Sequence, residues 1–315
     1  MPRRSPAELL ERARSGERGA LARLISLVEQ GGDPADEVGR RCYALGGRTL
    51  SVGLTGAPGA GKSTLTGGLV GVLRGQGGDV AVLAIDPSSP FSGGAILGDR
   101  VRMQEHFLDP GVFIRSMATR GHLGGLTAST SAAINVLDAV GFPHVLIETV
   151  GVGQVEVEVA GAADTTVVTV NPGWGDAVQA NKAGLMEIAD IFVINKADRP
   201  GVAETRRDLE QMLDLSTLGE WRPPIVTTVG STGEGVEELW KTIASHQEHL
   251  AASGTLARRR ATRAEEDVHR IVVAVLHDRA ERLWRSRELA GLRTDLAERR
   301  IDPWTAAEQL LTFDE

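Results

Sequence analysis

Between residues 49 and 230 the chain alternates two rhythms, and this alternation limits its fold more than any other feature. Seven short runs are rich in Val and Ile: TLSVGLTG (49–56), DVAVLAID (79–86), GVFIRSM (111–117), HVLIETVG (144–151), TTVVTVNP (165–172), DIFVINKAD (190–198) and PPIVTTVG (223–230). Most of them close on Gly, Asp or Pro, and most are separated by segments with helical spacing, such as KSTLTGGLVGVLRGQG (62–77) and GGLTASTSAAINVLDAVG (124–141). Strands with little polar alternation, interleaved with helices, predict a mostly parallel sheet covered on both faces, joined by right-handed crossovers. Ligands of such sheets bind beyond the carboxyl ends of the strands, where the Gly- and Asp-rich turns fall.

The flanks are helical. Residues 7–46 place apolar residues three and four apart, with GGDP (31–34) separating two helices and Asp33 or Asp36 as candidate N-caps. After about 234, GVEELWKTIASHQEHL and AEEDVHRIVVAVLHDRAERLW read as helices, the second with Val268, Ile271, Val272, Val275 and Leu276 on one face. TDLAERRIDPWTAAEQLL reads as two short helices broken at Pro303. This organisation predicts a helical extension (1–46), an α/β domain (47–252) and a C-terminal helical region (253–315).

Composition excludes several classes. The formal net charge of -8 argues against binding nucleic acid through counterion release. The local basic run LARRRATR (256–263) reads as a solvated helix face. One cysteine, Cys42, rules out an internal disulfide and any Cys-rich metal site, and packing is its expected role. The N-terminus MPRRSPAELLERARSG carries charges where a signal peptide needs an apolar core, and no apolar run is long enough to span a membrane. A cytoplasmic location follows as the expectation.

The first strand runs into Gly56-Ala57-Pro58-Gly59-Ala60-Gly61-Lys62-Ser63-Thr64, and a helix follows. Gly-x-x-x-x-Gly-Lys-Ser in that strand–helix context is a phosphate-binding loop. Backbone N–H groups and the helix N-terminus point at anionic oxygens, Lys62 reaches the β- and γ-phosphates, Ser63 binds Mg²⁺, and Thr64 donates to the α-phosphate. FVINKAD (192–198) ends another strand in Asn-Lys-x-Asp. A carboxylate at Asp198 accepts N1–H and the exocyclic amine of guanine together, a donor pair that adenine lacks. Leaving that carboxylate desolvated and unpaired costs roughly 1–3 kcal/mol, so the pattern selects GTP/GDP over adenine nucleotides. Asn195 can bond the base edge and tie down the phosphate loop, and Lys196 can lay its stem along the ring. Gly230, Ser231 and Thr232, in TVGSTGEG (228–235), are placed to offer N–H groups to the guanine oxygen. Asp86, Asp99 and Glu148 are three carboxylates near one phosphate site and suit Mg²⁺, which prefers oxygen ligands. The plain alternatives are a strand-end cap for Asp86 and a surface loop charge for Asp99.

AIDPSSPFSGGAILGDRVRM (84–103), IRSMATRGHLGGL (114–126), ETVGVGQVEVEVAGAADT (148–165) and NPGWGDAVQANKAGLMEIADIFVINKAD (171–198), with the phosphate loop, closely resemble the MeaB/ArgK/MMAA GTPases, chaperones of adenosylcobalamin-dependent acyl-CoA mutases. The resemblance runs from about residue 7 to the C-terminus. It implies a P-loop NTPase fold with an N-terminal helical extension and a C-terminal dimerisation arm, hence a homodimer whose partner is such a mutase. It also implies a slow GTPase that uses Mg²⁺, in which Lys62, Asp99, Glu148 and Lys182 serve catalysis or switching and Ser63, Asp86, Asp99 and Glu148 surround the metal. Gln154 is the candidate for orienting the attacking water, with a structural role as its equal alternative. Gln179 and Lys182 match the loop that couples nucleotide state to the mutase. Asn181 and Gly230 depart from the usual residues of the family. An amino-acid (LAO/AO) transport kinase and a nickel- or zinc-insertion GTPase are the alternative readings. The first needs an acceptor pocket that no motif supplies, and the second needs Cys or His clusters. His246 and His249 (HQEH) could chelate, but solvated helix residues are the plainer reading; His122 lies in a signature segment.

Overall fold

The computed structural model describes residues 4–86, 106, 108–118, 125–149, 161–173, 187–215, 219–287 and 289–313. Asp99, His122, Gly151, Gln154, Gln179, Asn181 and Lys182 lie outside the described residues. The chain divides into two units, one comprising 1–121 with 125–263, the other 122–124 with 264–315.

All seven anticipated strands form: β1 (Leu50–Gly56), β2 (Val80–Asp86), β3 (Val112–Ala118), β4 (His144–Thr149), β5 (Thr165–Val170), β6 (Ile191–Asn195) and β7 (Ile225–Thr228). They make one sheet in the order β3-β2-β4-β1-β5-β6-β7, and every pairing is parallel. The strands read as continuous apolar runs because both faces are covered, yet their residues still alternate between two cores. Ala81, Leu83, Ile85, Val145 and Ile147 face one core. Val80, Val82, Leu146, Val167, Val193 and Val226 face the other.

The first core is closed by α1 (Pro6–Arg14), α2 (Arg18–Gln30), α3 (Asp33–Tyr43) and α5 (Gly125–Val140). The N-terminal segment is thus three helices rather than the two anticipated, because Gly16 takes a left-handed φ of 94° and breaks the first helix from the second. The cap of α3 is Gly32, not Asp33 or Asp36; both acids lie inside the first turn, where they favour the positive end of the helix dipole. Cys42 is fully buried in this core, as its packing role requires, and burial pushes its thiol up to about 11. The second core is closed by α4 (Lys62–Gly75) and α7 (Val236–Ala252), and α6 (Val202–Leu215) covers Val168, Val170, Phe192 and Ile194.

At the amino end of the sheet the structure overturns two expectations. The LARRRATR run is no solvated face. It forms the root of α8 (Thr255–Arg285), and three of its arginines grip two carboxylates that precede β5 and β6. Arg260 binds Asp164 through Nη2 (2.7 Å) and Nε (3.2 Å), and Arg263 pairs with the same carboxylate. Arg259 donates to both oxygens of Asp190, at 2.9 and 3.1 Å. Asp164 also accepts from the N–H and hydroxyl of Ser51 in β1, each at 3.1 Å. Burial pushes both acids up, but the hydrogen bonds and charge of Arg260 and Arg263 on Asp164, and of His246 and Arg259 on Asp190, outweigh it. Both carboxyls sit below the ordinary range. His246 is likewise not solvated: it is fully buried, 3.0 Å from the Thr165 hydroxyl and 3.3 Å from Asp190, with its ring against Trp221.

The second unit contains the rest of α8, α9 (Ala290–Ala297) and α10 (Pro303–Thr312), with a small core of Leu283, Leu289, Leu292 and Ala306. Asp302 caps α10, and Pro303 stands at its first turn. Val268, Ile271, Val272, Val275 and Leu276 of α8 are exposed.

Candidate functional site

Strand alternation decides which side chains meet the phosphate loop. Glu148, Asn195 and Thr228 stand two residues beyond Leu146, Val193 and Val226, so they lie on the α4 face at the carboxyl ends of β4, β6 and β7. The loop at 57–61 sits at the end of β1, between β4 and β5, and leads into α4.

Two glycines are required there by geometry. Gly56 has φ 125°, and a Cβ on it would overlap the backbone of Thr169 in β5. Gly61 has φ 92°, and a Cβ on it would overlap the amide of Asn195. An L side chain at either position is both strained and obstructed. Gly61 is also the N-cap of α4 and supplies no side chain, so the first N–H groups of the helix are left for an anion. Lys62 is buried and its ammonium lies 2.6 Å from the carbonyl oxygen of Gly56 and 3.1 Å from that of Ala57. The Ser63 hydroxyl contacts the Glu148 carboxylate, and both residues are buried. Thr64 is exposed at the start of the helix.

The Asn-Lys-x-Asp turn lies against this loop. Asn195 Nδ2 donates to the Ala60 carbonyl at 2.8 Å, and its Oδ1 accepts from the Gly230 N–H and the Thr228 hydroxyl, each at 3.0 Å. Lys196 adopts φ 59° and its ammonium reaches the Gly59 carbonyl at 2.6 Å. Asp198 and Ser231 are exposed, and Thr232 bonds back to Val229. Of the sequence-selected residues, the structure therefore brings together Lys62, Ser63, Glu148, Asn195, Lys196 and Gly230. Asp86 is the last residue of β2, the strand next to β4. Sequence reasoning missed Thr228. Its only signal is a hydroxyl at a strand end, and its importance depends on the β6–β7 register.

A parallel sheet that sets a Gly-Lys-Ser turn beside an Asn-Lys-x-Asp turn defines a P-loop GTPase. Known proteins narrow this class. A family model described as methylmalonyl Co-A mutase-associated GTPase MeaB matches residues 21–283, and the chain belongs to that family. A Pyrococcus abyssi protein named "Putative GTPase" is 51% identical over 309 residues, covering 96% of this chain and 95% of its own length. GTPase ArgK of Escherichia coli is 38% identical over 273 residues, covering 82% and 81%. A solved structure of an LAO/AO transport system kinase superposes with a TM-score of 0.69 at 28% identity, covering 97% of this chain and 96% of that one. The protein is a GTPase that binds guanine nucleotides. Among the described residues, no helix is long and apolar enough to cross a membrane.

Proposed function

We propose that this GTPase is a slow nucleotide-gated chaperone that controls entry and protection of adenosylcobalamin in an acyl-CoA mutase of the methylmalonyl-CoA type. The observation that carries this reading is the match of residues 21–283 to a family described by its association with that mutase. The homologue from mouse named methylmalonic aciduria type A homolog, 40% identical over 266 residues, is consistent with it.

In this reading the N–H groups of the 57–61 loop and of the first turn of α4 hold the phosphates, with Lys62 on the β- and γ-phosphates and Thr64 on the α-phosphate. Asp198 reads guanine, with Ser231 and Thr232 at its oxygen. Asn195 ties the phosphate loop to the base loop, and Lys196 lies along the ring. The Ser63 hydroxyl and Glu148 carboxylate are adjacent hard oxygen donors, which fits Mg²⁺. When bound, Mg²⁺ neutralises charge on the phosphates. Asp86 and Asp99 complete the acidic shell, Gln154 is the candidate for orienting water, and Gln179 and Lys182 couple the loop to the mutase. Position and charge neutralisation supply the catalysis, and partner binding orders the switch segments.

The exposed α8 strip from Val268 to Leu276 is proposed as the homodimer contact. The three-part organisation (1–46, 47–252, 253–315) and a cytosolic location remain part of this proposal. The test is GTP hydrolysis by the purified protein with and without a candidate mutase loaded with its cofactor. Acceleration on adding the mutase supports the reading, and fast turnover indifferent to any mutase overturns it. ATP measured in parallel separates the transport-kinase alternative.

A further inference from the structure

The Asn195 amide can be oriented in only one way. The Gly230 N–H can only donate and the Ala60 carbonyl can only accept, so Oδ1 faces β7 and Nδ2 faces the phosphate loop. The Thr228 hydroxyl, 3.0 Å from Oδ1, must then be the donor in that contact. Both Oδ1 lone pairs are used and one amide hydrogen is used, which leaves a single N–H on Asn195. Asn195 therefore cannot accept from a base; it acts chiefly as a brace, and the brace itself is held by Thr228.

Thr228 holds the base-side turn twice. Asn195 and Thr228 are paired across the parallel β6–β7 register, and both side chains are buried. The Thr228 carbonyl accepts from the Ala197 N–H at 3.0 Å while its hydroxyl fixes Asn195. Between those two anchors sits Lys196, in a left-handed conformation that a side-chain-bearing residue rarely adopts. On the other side, Asn195 packs so closely on Gly61 that a Cβ there would overlap its amide. The run Thr228–Asn195–Ala60 thus connects the end of β7, the Asn-Lys-x-Asp turn and the phosphate loop through hydrogen bonds of the buried Asn195 side chain.

We infer that Thr228 is a positioning residue for guanine-nucleotide binding, acting through Asn195 to fix the distance between the base loop and the phosphate loop. It rests on the site reading proposed above. Its buried hydroxyl is committed to Asn195, so its effect falls on affinity and not on the chemical step. Removing the hydroxyl spares the backbone bond to Ala197 and leaves Oδ1 with Gly230 alone.

The experiment compares Thr228→Val, Thr228→Ser, Asn195→Ala and the Thr228→Val/Asn195→Ala double variant. GDP affinity is measured with a fluorescent analogue, GTP hydrolysis gives kcat and KM, and melting temperature is followed as a control. Thr228→Val is expected to weaken GDP affinity and raise GTP KM about fivefold with kcat within about twofold, by loss of one buried hydrogen bond. Thr228→Ser is expected to restore both. In the Asn195→Ala background, Thr228→Val is expected to add nothing, because the bond it removes is already gone. Unchanged affinity in Thr228→Val, a lowered melting temperature with unchanged affinity, or full additivity in the double variant would each overturn the inference. If Asn195→Ala and Asp198→Asn also leave affinity unchanged, the base-site reading itself fails and the role of Thr228 falls with it.

Discussion

Arg260 meets Asp164 through two nitrogens, Nη2 at 2.7 Å and Nε at 3.2 Å, and so fastens the root of α8 to the entry of β5. Asp164 holds Ser51 of β1 at the same time, so one carboxylate joins the strand that leads to the phosphate loop with the helix that leads to the second unit. Truncation to Asp164→Ala leaves two partly buried guanidinium groups without their carboxylate, though each keeps backbone carbonyl partners, and is expected to cost about 3 kcal/mol of stability. Urea unfolding of the variant measures this.

Acid should weaken the same cluster. Asp164 and Asp190 have carboxyls below the ordinary range in the folded chain. Their unfolded counterparts titrate near pH 4, at about 3.9. The unfolded chain therefore takes up protons first, and stability from these groups is complete above about pH 4 and is lost as pH falls toward and through the lower folded values. Unfolding free energy measured from pH 6 downward should fall less steeply in Asp164→Ala than in the parent chain.

Asp198→Asn tests base recognition. The substitution replaces a double acceptor with one acceptor and one donor, which mismatches guanine and matches xanthine, whose second carbonyl stands where guanine carries its amine. GTP affinity is expected to fall at least about tenfold, which is about 1.4 kcal/mol, with a gain for xanthosine triphosphate. Titration with both nucleotides decides it; an unchanged preference for guanine would remove Asp198 from the base site.

Lys62→Ala removes the ammonium that lies against the loop carbonyls of Gly56 and Ala57. In the proposed site this charge serves the transferring phosphoryl group, and its loss is expected to lower GTP hydrolysis by about 10² or more. Single-turnover hydrolysis and far-ultraviolet circular dichroism together separate lost chemistry from lost fold.

Ser63→Ala should act through magnesium. With the hydroxyl gone, Glu148 keeps its position on β4 but loses its contact with Ser63 of α4. The Mg²⁺ concentration for half-maximal hydrolysis is expected to rise about tenfold, roughly the worth of one oxygen ligand to a charged centre. An unchanged magnesium dependence would place the metal elsewhere.

Paired substitutions Val272→Glu and Val275→Glu place charge on the exposed strip of α8. If this strip is the contact between copies, light scattering should show a dimer for the parent chain and a monomer for the variant, with intrinsic GTPase activity unchanged. Arg259, Arg260 and Arg263 belong to the first unit, so substitution along the strip tests the contact more cleanly than truncation near residue 255.

What the sequence determined by itself was everything written in local pattern. Seven apolar runs, most of them bounded by turn residues, specify strands because burial on both faces leaves no room for polar alternation. Gly56 to Ser63 and Asn195 to Asp198 specify their turns because glycine conformation, a lysine and an Asp carboxylate have few other uses at a strand's carboxyl end. What only the tertiary structure decided was pairing across long stretches of chain. Arg259, Arg260 and Arg263 read as a solvated basic face until β5 and β6 bring Asp164 and Asp190 beneath them. His246 reads as exposed until Trp221 and Thr165 close over it. Thr228 carries no local mark beyond a hydroxyl at a strand end, and that hydroxyl gains a role only when the β6–β7 register sets it opposite Asn195. Periodicity reports which face of an element is buried, but the partner on that face is a long-range fact, and charge pairing and hydrogen bonding depend on the partner.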